Sequence, residues 1–381
     1  MARKNIKVYL QKPFGIADSA YYKYLREGAP KGIEYIEKTK SGLVGVGKFG
    51  KSFWLKQFVK KCLRFFSLSL PNVYYSDIGN FDIVHCVNCM SKNDVPWICD
   101  MEHIGHFWRG SCARYKVKVK DGKVVKLFDD RDKDKVRKYI CFDNCKKIIA
   151  WSEWTKNNIV REFPEIKNKV EVVYPAVSIK KFKKKNSDGK IRIIFIGRDF
   201  KTKGGEIALQ VLDKLTKKYS NIEGLIISEV PQKFLNKYSG NKKIKFIGLV
   251  SQEKLFKDLY SVADIFLYPT FSDTFGFAIL EAQSFGIPVV TMKTGSTHTI
   301  NETVTDGKTG FIIENMKADG HKMIFDAGVA DEFVNVVGKL IEDGKLLRKM
   351  SRASFGEVVD GKFSVRERGK KLKMIYKEAL R

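Results

Sequence analysis

The sequence predicts an α/β protein of two domains, each a parallel β-sheet wrapped by crossover helices. Three observations predict it. Short runs of β-branched and aromatic residues alternate with helical patterns along most of the chain. The length, 381 residues, suits two cores of ordinary size. A polar, very basic stretch, VSIKKFKKKNSDGK from Val177 to Lys190, interrupts the pattern and ends in Ser-Asp-Gly before a new strand, which marks a linker.

Taken in order, NIKVYLQ, FDIVHCV, VPWICDM, KKIIAWS and VEVVYPA are the strands of the first half. They are near-continuous apolar runs, as expected where helices cover both faces of a sheet. Between the first two lies GKFGKSFWLKQFVKKCLRFFSLSLP. If helical from Ser52, it carries an apolar stripe (Phe53, Leu55, Phe58, Val59, Cys62, Leu63, Phe66) edged by Lys51, Lys56, Lys60, Lys61 and Arg64. It reads either as a crossover helix packed on the sheet or as a helix whose basic rim docks on anionic lipid. YKVKVKDGKVVKLF reads as a basic hairpin around Asp121-Gly122. In the second half the strands are IRIIFIG, EGLIISE, IKFIGLV, DIFLYPT, IPVVTMK and TGFIIE, and Val365 to Ala379 reads as one last helix.

With 44% hydrophobic and 30% charged residues, the chain is a soluble globular protein rather than a disordered or fibrous one. Its first residues lack a signal-peptide core and no run approaches a membrane span, so a place inside the cell is expected. Net charge is +28, and residues 1–190 hold 40 of the 71 basic residues against 20 of the 43 acidic ones. An anionic partner is therefore expected at that half: nucleic acid, a membrane surface or a phosphorylated molecule. All seven cysteines lie between Cys62 and Cys145. An odd number without an export signal argues for a reducing compartment. Cys86, Cys89, Cys141 and Cys145 have the spacing of a four-sulfur zinc site, although packing cysteines fit as well, Cys141 and Cys145 falling in a helical pattern.

The chemistry lies mainly in the second half. Strand IRIIFIG ends in Gly197-Arg198, and Lys203-Gly204-Gly205 opens the next helix. A strand end, a basic loop and a helix start direct N–H groups and cations at one spot, which suits a diphosphate. After DIFLYPT comes a loop with Asp273 and Phe275-Gly276-Phe277, followed by a helix carrying Glu281 roughly one turn in. Gly276 lets backbone approach a ligand, and Glu281 can accept hydrogen bonds from two vicinal hydroxyls. That set suits a sugar nucleotide. In the first half, Asp100, Glu102, His103 and His106 cluster at the end of VPWICDM, and strand carboxyl ends are where open α/β sheets bind ligands.

These stretches resemble glycosyltransferase family 4, retaining enzymes of GT-B architecture. The resemblance rests on IRIIFIGRDFKTKGG, IKFIGLVSQEKLFKDLYSVADIFLYPT, SDTFGFAILEAQSFGIPVV and DGKTGFIIE, about 150 residues in the family's order and spacing, with VEVVYPAVSIKKF and KKIIAWSEWTKNNIV before them. It implies two Rossmann-like doubly wound domains facing each other across a cleft: an acceptor domain over residues 1–180, a donor domain over 181–364, and a helix over 365–381 returning to the first domain. It implies that Arg198 and Lys203 hold the donor diphosphate, Glu281 the ribose, and Asp273 the hydroxyls of the transferred sugar, with Gly197, Phe275, Gly276 and Phe277 around them. Gly15, in PFGIAD, falls in the first domain's phosphate-facing loop. Counting from Pro96, Glu102 rather than His103 falls where the family has a His, and either faces the reacting sugar. The departing diphosphate oxygen serves as base, so no metal and no cofactor is implied beyond the nucleotide-diphosphate sugar as co-substrate. The chain has Asp273 where the family has Glu, and Pro175-Ala176 where it has Asn-Gly.

The acceptor expected is a glycan of the cell envelope or a lipid-linked sugar, with Lys56, Lys60, Lys61 and Arg64 meeting it or an anionic membrane, the protein being cytoplasmic and peripheral on the membrane's inner face. A GT-B epimerase or phosphorylase is the neighbouring reading. A basic nucleic-acid-binding protein is the reading from another class, and the absence of zinc-finger, RNP and helix-turn-helix patterns counts against it. Asp130-Arg131-Asp132, the Asp-x-Asp that a metal-dependent transferase would need, lies in the basic hairpin region and outside the donor loops.

Overall fold

The computed structural model describes residues 5–13, 20–37, 70–75, 79–109, 115–120, 123–178, 188–318, 323 and 328–381. The chain forms two compact units, Met1–Ala176 with Arg366–Arg381 and Val177–Val365.

Unit one contains β1 (Ile6–Gln11), β2 (Ile33–Ile36), β3 (Val73–Tyr74), β4 (Ile83–Val87), β5 (Met90–Ser91), β6 (Trp97–Met101), β7 (Tyr115–Lys120), β8 (Lys123–Phe128), β9 (Cys145–Ala150) and β10 (Val170–Val172). Its main sheet is parallel throughout, in the order β10-β9-β6-β4-β1-β2. β7 and β8 pair as an antiparallel hairpin, as the Lys/Val alternation predicts. Alternation along β4 and β6 sends Val84, Cys86, Trp97, Cys99 and Met101 into an apolar core on one face.

The opposite face carries His85 and Asp100, both fully buried. The last helix, Val365–Ala379, lies there. Its Arg368 reaches Asp100 at 3.1 Å and donates to the carbonyls of Val173 (2.9 Å) and Tyr174 (2.7 Å). Tyr376 OH is 2.7 Å from His85 Nδ1, and His85 Nε2 is 2.8 Å from Asp100 Oδ2. Burial pushes the His85 pKa down to about 3 and the Asp100 pKa up to about 6. Neutral His85 therefore donates from Nε2 to Asp100 and accepts from Tyr376. Removing one partner would strand a buried charge, which typically costs about 3–5 kcal/mol.

Unit two contains β11 (Ile191–Ile196), β12 (Ile222–Ile227), β13 (Ile244–Ile247), β14 (Ile265–Tyr268), β15 (Val289–Lys293) and β16 (Gly310–Glu314). They form one parallel sheet in the order β13-β12-β11-β14-β15-β16, the doubly wound arrangement. Ile193, Phe195, Ile265 and Leu267 face the core formed with helices Gly205–Lys218 and Val329–Glu342. Ile194, Phe266 and Tyr268 face the other, with Phe256, Ile279 and Ala282. Apolar cover on both faces is why these strands read as unbroken hydrophobic runs.

Candidate functional site

Strand order creates the site. β11 and β14 are neighbours, yet the chain leaves β11 for β12 on one side and β14 for β15 on the other. Connections that diverge in this way open a crevice beyond the strands' carboxyl ends, the usual ligand position in such sheets. The segments leaving these two ends are residues 197–204 and 269–276, which contain Gly197, Arg198, Lys203, Asp273, Phe275 and Gly276.

The two segments are locked together. Phe271 N–H donates to the Thr202 carbonyl at 2.9 Å. Gly204 has φ +76, and a Cβ there would stand 1.9 Å from the Pro269 carbonyl oxygen, so only glycine lets one loop lie on the other. A Cβ on Gly197 would come within 2.8 Å of Lys203 Cβ, so this glycine makes room for the lysine stem rather than for a ligand directly.

Lys203 Nζ lies 3.2 Å from Asp273 Oδ2 and donates to the Ser272 carbonyl at 2.9 Å. It also sits over the Tyr268 ring, 5.5 Å from the centroid. Tyr268 OH donates to the same Asp273 oxygen at 2.5 Å. Burial, with the Asp273 charge beside it, pushes the Tyr268 pKa well above its ordinary value, so the phenol remains a donor. Arg198 is exposed and makes no hydrogen bond or ion pair with the described residues.

Gly276, at φ +82, precedes helix Phe277–Gln283, a conformation that favours glycine. Phe275 is 2% exposed and its ring packs near Phe277 and Phe363, leaving only its backbone to meet a ligand. Glu281 is largely buried, and Gln252 Nε2 donates to its Oε1 at 2.8 Å.

In unit one, Glu102 and His103 follow β6. Glu102 is pinned through its backbone: its N–H donates to Asn88 Oδ1 (2.9 Å), and its carbonyl accepts from Thr155 Oγ1 (2.6 Å). Its carboxylate is 3.6 Å from His106 Nε2. His103 Nδ1 accepts from Gly105 N–H at 3.0 Å, capping the short helix Ile104–Phe107, and its ring lies 4.1 Å from that of His106. Burial, then His106, lowers the His103 pKa to about 4. Asp100, expected beside them, is instead fully buried in the contact with Arg368.

The zinc alternative is not assembled. Cys145 lies in strand β9 rather than a helix, buried, and Cys141 is exposed. Burial pushes the thiols of Cys86 and Cys99 well up and that of Cys145 up to about 12, so they pack as neutral groups. Among the described residues no cluster of three or more metal-ligating side chains occurs. Asp130 and Asp132 occupy the first turn of helix Asp130–Ile140, where acids complement the helix dipole. Gly15, Lys56, Lys60, Lys61 and Arg64 lie outside the described residues.

Sequence reasoning passed over Tyr268 and Gln252. The first is the last residue of strand β14, within DIFLYPT, where an apolar residue would serve the strand equally well, so its hydroxyl was a legible signal. The second gave none, because the contact joins residues far apart in sequence.

Residues 177–355, nearly all of unit two, match the family described as glycosyl transferases group 1. This unit is a group 1 glycosyl transferase domain. The chain is 26% identical over 166 residues to the phosphatidylinositol N-acetylglucosaminyltransferase GPI3 subunit of Saccharomyces cerevisiae, a match covering 40% of this chain and 36% of that one. It is 25% identical over 233 residues to a D-inositol 3-phosphate glycosyltransferase of Streptomyces avermitilis, covering 55% and 47%. The matches thus span about a third to a half of these curated relatives. Among solved structures, a glycosyltransferase from Rickettsia africae superposes over 99% of both chains with TM-score 0.59 at 16% identity. Sucrose-phosphate synthase from Thermosynechococcus elongatus covers 98% of this chain and 99% of its own, also at 0.59, with 14% identity. The fold of the whole chain is therefore that of the GT-B glycosyltransferases, and the group 1 domain carries the Lys203–Asp273 pair at its switch point.

Among the described residues no helix is long and apolar enough to cross a membrane.

Proposed function

We propose that the protein is a retaining glycosyltransferase of family 4. It moves a sugar from a nucleotide-diphosphate sugar to a cell-envelope glycan or lipid-linked acceptor, without a metal ion, on the inner face of the cell membrane. The observation that carries this reading is the 3.2 Å contact between Lys203 and Asp273 at the carboxyl-end crevice of a group 1 domain.

A hydroxyl bound to Asp273 and a phosphate oxygen bound to Lys203 must lie within a few ångströms of each other. The bond from the sugar's anomeric carbon to the diphosphate has that span. As it breaks, negative charge grows on the phosphate oxygen, and a cation already fixed beside it lowers the barrier without reorganising. Arg198, exposed on the adjoining segment, supplies a second charge. The acceptor oxygen bonds to the anomeric carbon on the face the phosphate leaves, and its proton passes to the departing oxygen, which keeps the configuration. Glu281, with capacity for several hydrogen bonds, accepts from the ribose diol beside Gln252.

The test is a thermal-shift screen of nucleotide-diphosphate sugars, followed by assay of nucleotide release with and without membrane extract. One sugar nucleotide should raise the melting temperature. Release should require extract, survive chelation by EDTA and give a product of unchanged anomeric configuration. Sugar nucleotide consumed with no acceptor would point instead to an epimerase, and loss of activity in EDTA restored by manganese would overturn the metal-free chemistry.

A further inference from the structure

Helix Gly344–Val359 buries Met350, Ser354 and Val358. Its opposite side presents Lys345, Arg348, Lys349 and Arg352, all exposed, at spacings of three, four and seven residues, so that they form one stripe. None of the four makes an ion pair with the described residues. Glu357, the acid on this helix, is turned aside to Lys308 at 3.0 Å. At the end of the stripe Phe355 is 43% exposed.

This arrangement is costly to the fold. Like charges three and four residues apart weaken a helix, and cations in its first half oppose the positive end of its dipole. Asp343 caps the helix, accepting from the N–H groups of Lys345 and Leu346 at 2.9 Å each, which offsets part of the dipole cost but leaves the repulsion along the stripe. A stripe that stability disfavours, bordered by an exposed aromatic ring, suits a surface of opposite charge with an apolar interior.

We propose that helix Gly344–Val359 docks unit two on an anionic lipid bilayer, the four cations meeting headgroups and Phe355 entering the acyl boundary. A straight row along one helix face can touch a plane at every position, which favours a bilayer over nucleic acid. The proposal rests on the membrane location in the proposed function and names the surface that makes it, while donor binding and sugar transfer are read out separately and do not depend on it.

The test is co-sedimentation of the full chain with phosphatidylcholine vesicles, with and without phosphatidylglycerol. The wild type should bind only the anionic vesicles, more weakly as salt rises. Replacing Lys345, Arg348, Lys349 and Arg352 by Gln should cut the partition coefficient roughly fivefold per charge, several hundredfold for the set. The same variant should melt no lower than wild type at low salt, which shows that it folds. A control with Lys217, Lys233, Lys237 and Lys242, exposed on other parts of the unit, replaced by Gln should keep nearly all of its binding. Phe355→Ser should bind less well at high salt, where burial of the ring matters most. Failure of the wild type to bind, equal loss in the control, or a stripe-dependent complex with single-stranded RNA stronger than vesicle binding would each overturn the proposal.

Discussion

Lys203 and Asp273, each on a segment following one of two adjacent parallel strands, meet at 3.2 Å, with side chains 22% and 18% exposed. The lysine is therefore held in place before any ligand arrives, by Asp273, by the Ser272 carbonyl and by the face of Tyr268. Lys203→Ala should lower turnover on the order of 100- to 1000-fold, as loss of one fixed donor to developing charge typically does. Its melting temperature should stay close to wild type, because a partly exposed pair contributes little to stability. A steady-state assay beside a thermal melt checks this, and near-native turnover would remove Lys203 from the diphosphate.

Tyr268→Phe keeps the ring beneath Lys203 and removes only the hydroxyl that donates to Asp273. A hydrogen bond to a charged group is worth about 1.5–3 kcal/mol. Turnover should fall roughly tenfold or more, with a smaller change in affinity for the free nucleotide diphosphate. Equal loss in both quantities would mean that the hydroxyl supports nucleotide binding rather than the sugar end.

Glu281→Gln preserves shape, and Gln252 can still donate to the amide oxygen. The loss is confined to the carboxylate's second acceptor group. Nucleotide affinity should drop about tenfold, measured by calorimetry, while a ligand lacking the ribose hydroxyls should bind both proteins alike. Unchanged affinity for the nucleotide diphosphate would take Glu281 out of the ribose site.

His103 gives a pH prediction. Its unfolded form takes up a proton near 6.5, while the folded form resists until about 4, because burial and then the neighbouring His106 disfavour the charged ring. Stability from this group is complete above 6.5 and is lost as pH falls toward 4. His103→Asn keeps a capping acceptor without the titration, so its stability should decline less steeply, by up to about 1.4 kcal/mol per pH unit. His85, lowered to about 3, acts in the same direction, and Asp100, raised to about 6, acts against it. Both remain in the variant, so they cancel in the difference between two urea titration series. Parallel pH curves would contradict the assignment.

The alternation of strands and helices made the fold readable, because burial on both faces leaves continuous apolar runs such as IRIIFIG and DIFLYPT. The residues at the β11 and β14 ends were readable for a related reason: glycines, cations and acids are concentrated where strands stop. The contacts among them were not. Nothing in the spacing says that Asp273 meets Lys203, or that Arg368 returns to Asp100, since these pairs form only once strand order is fixed. Asp100 illustrates the limit. At a strand's carboxyl end it reads as a site residue, yet its side chain is directed into the core, where Arg368 and His85 hold it.

Titration of nucleoside diphosphates into the wild type and Lys203→Ala by calorimetry tests the central claim most directly. The account predicts one site per chain in the wild type, filled by a nucleoside diphosphate, and affinity at least tenfold weaker in the variant. Equal affinity in the two proteins, or no binding of any nucleoside diphosphate or its sugar conjugate to the wild type, would contradict it.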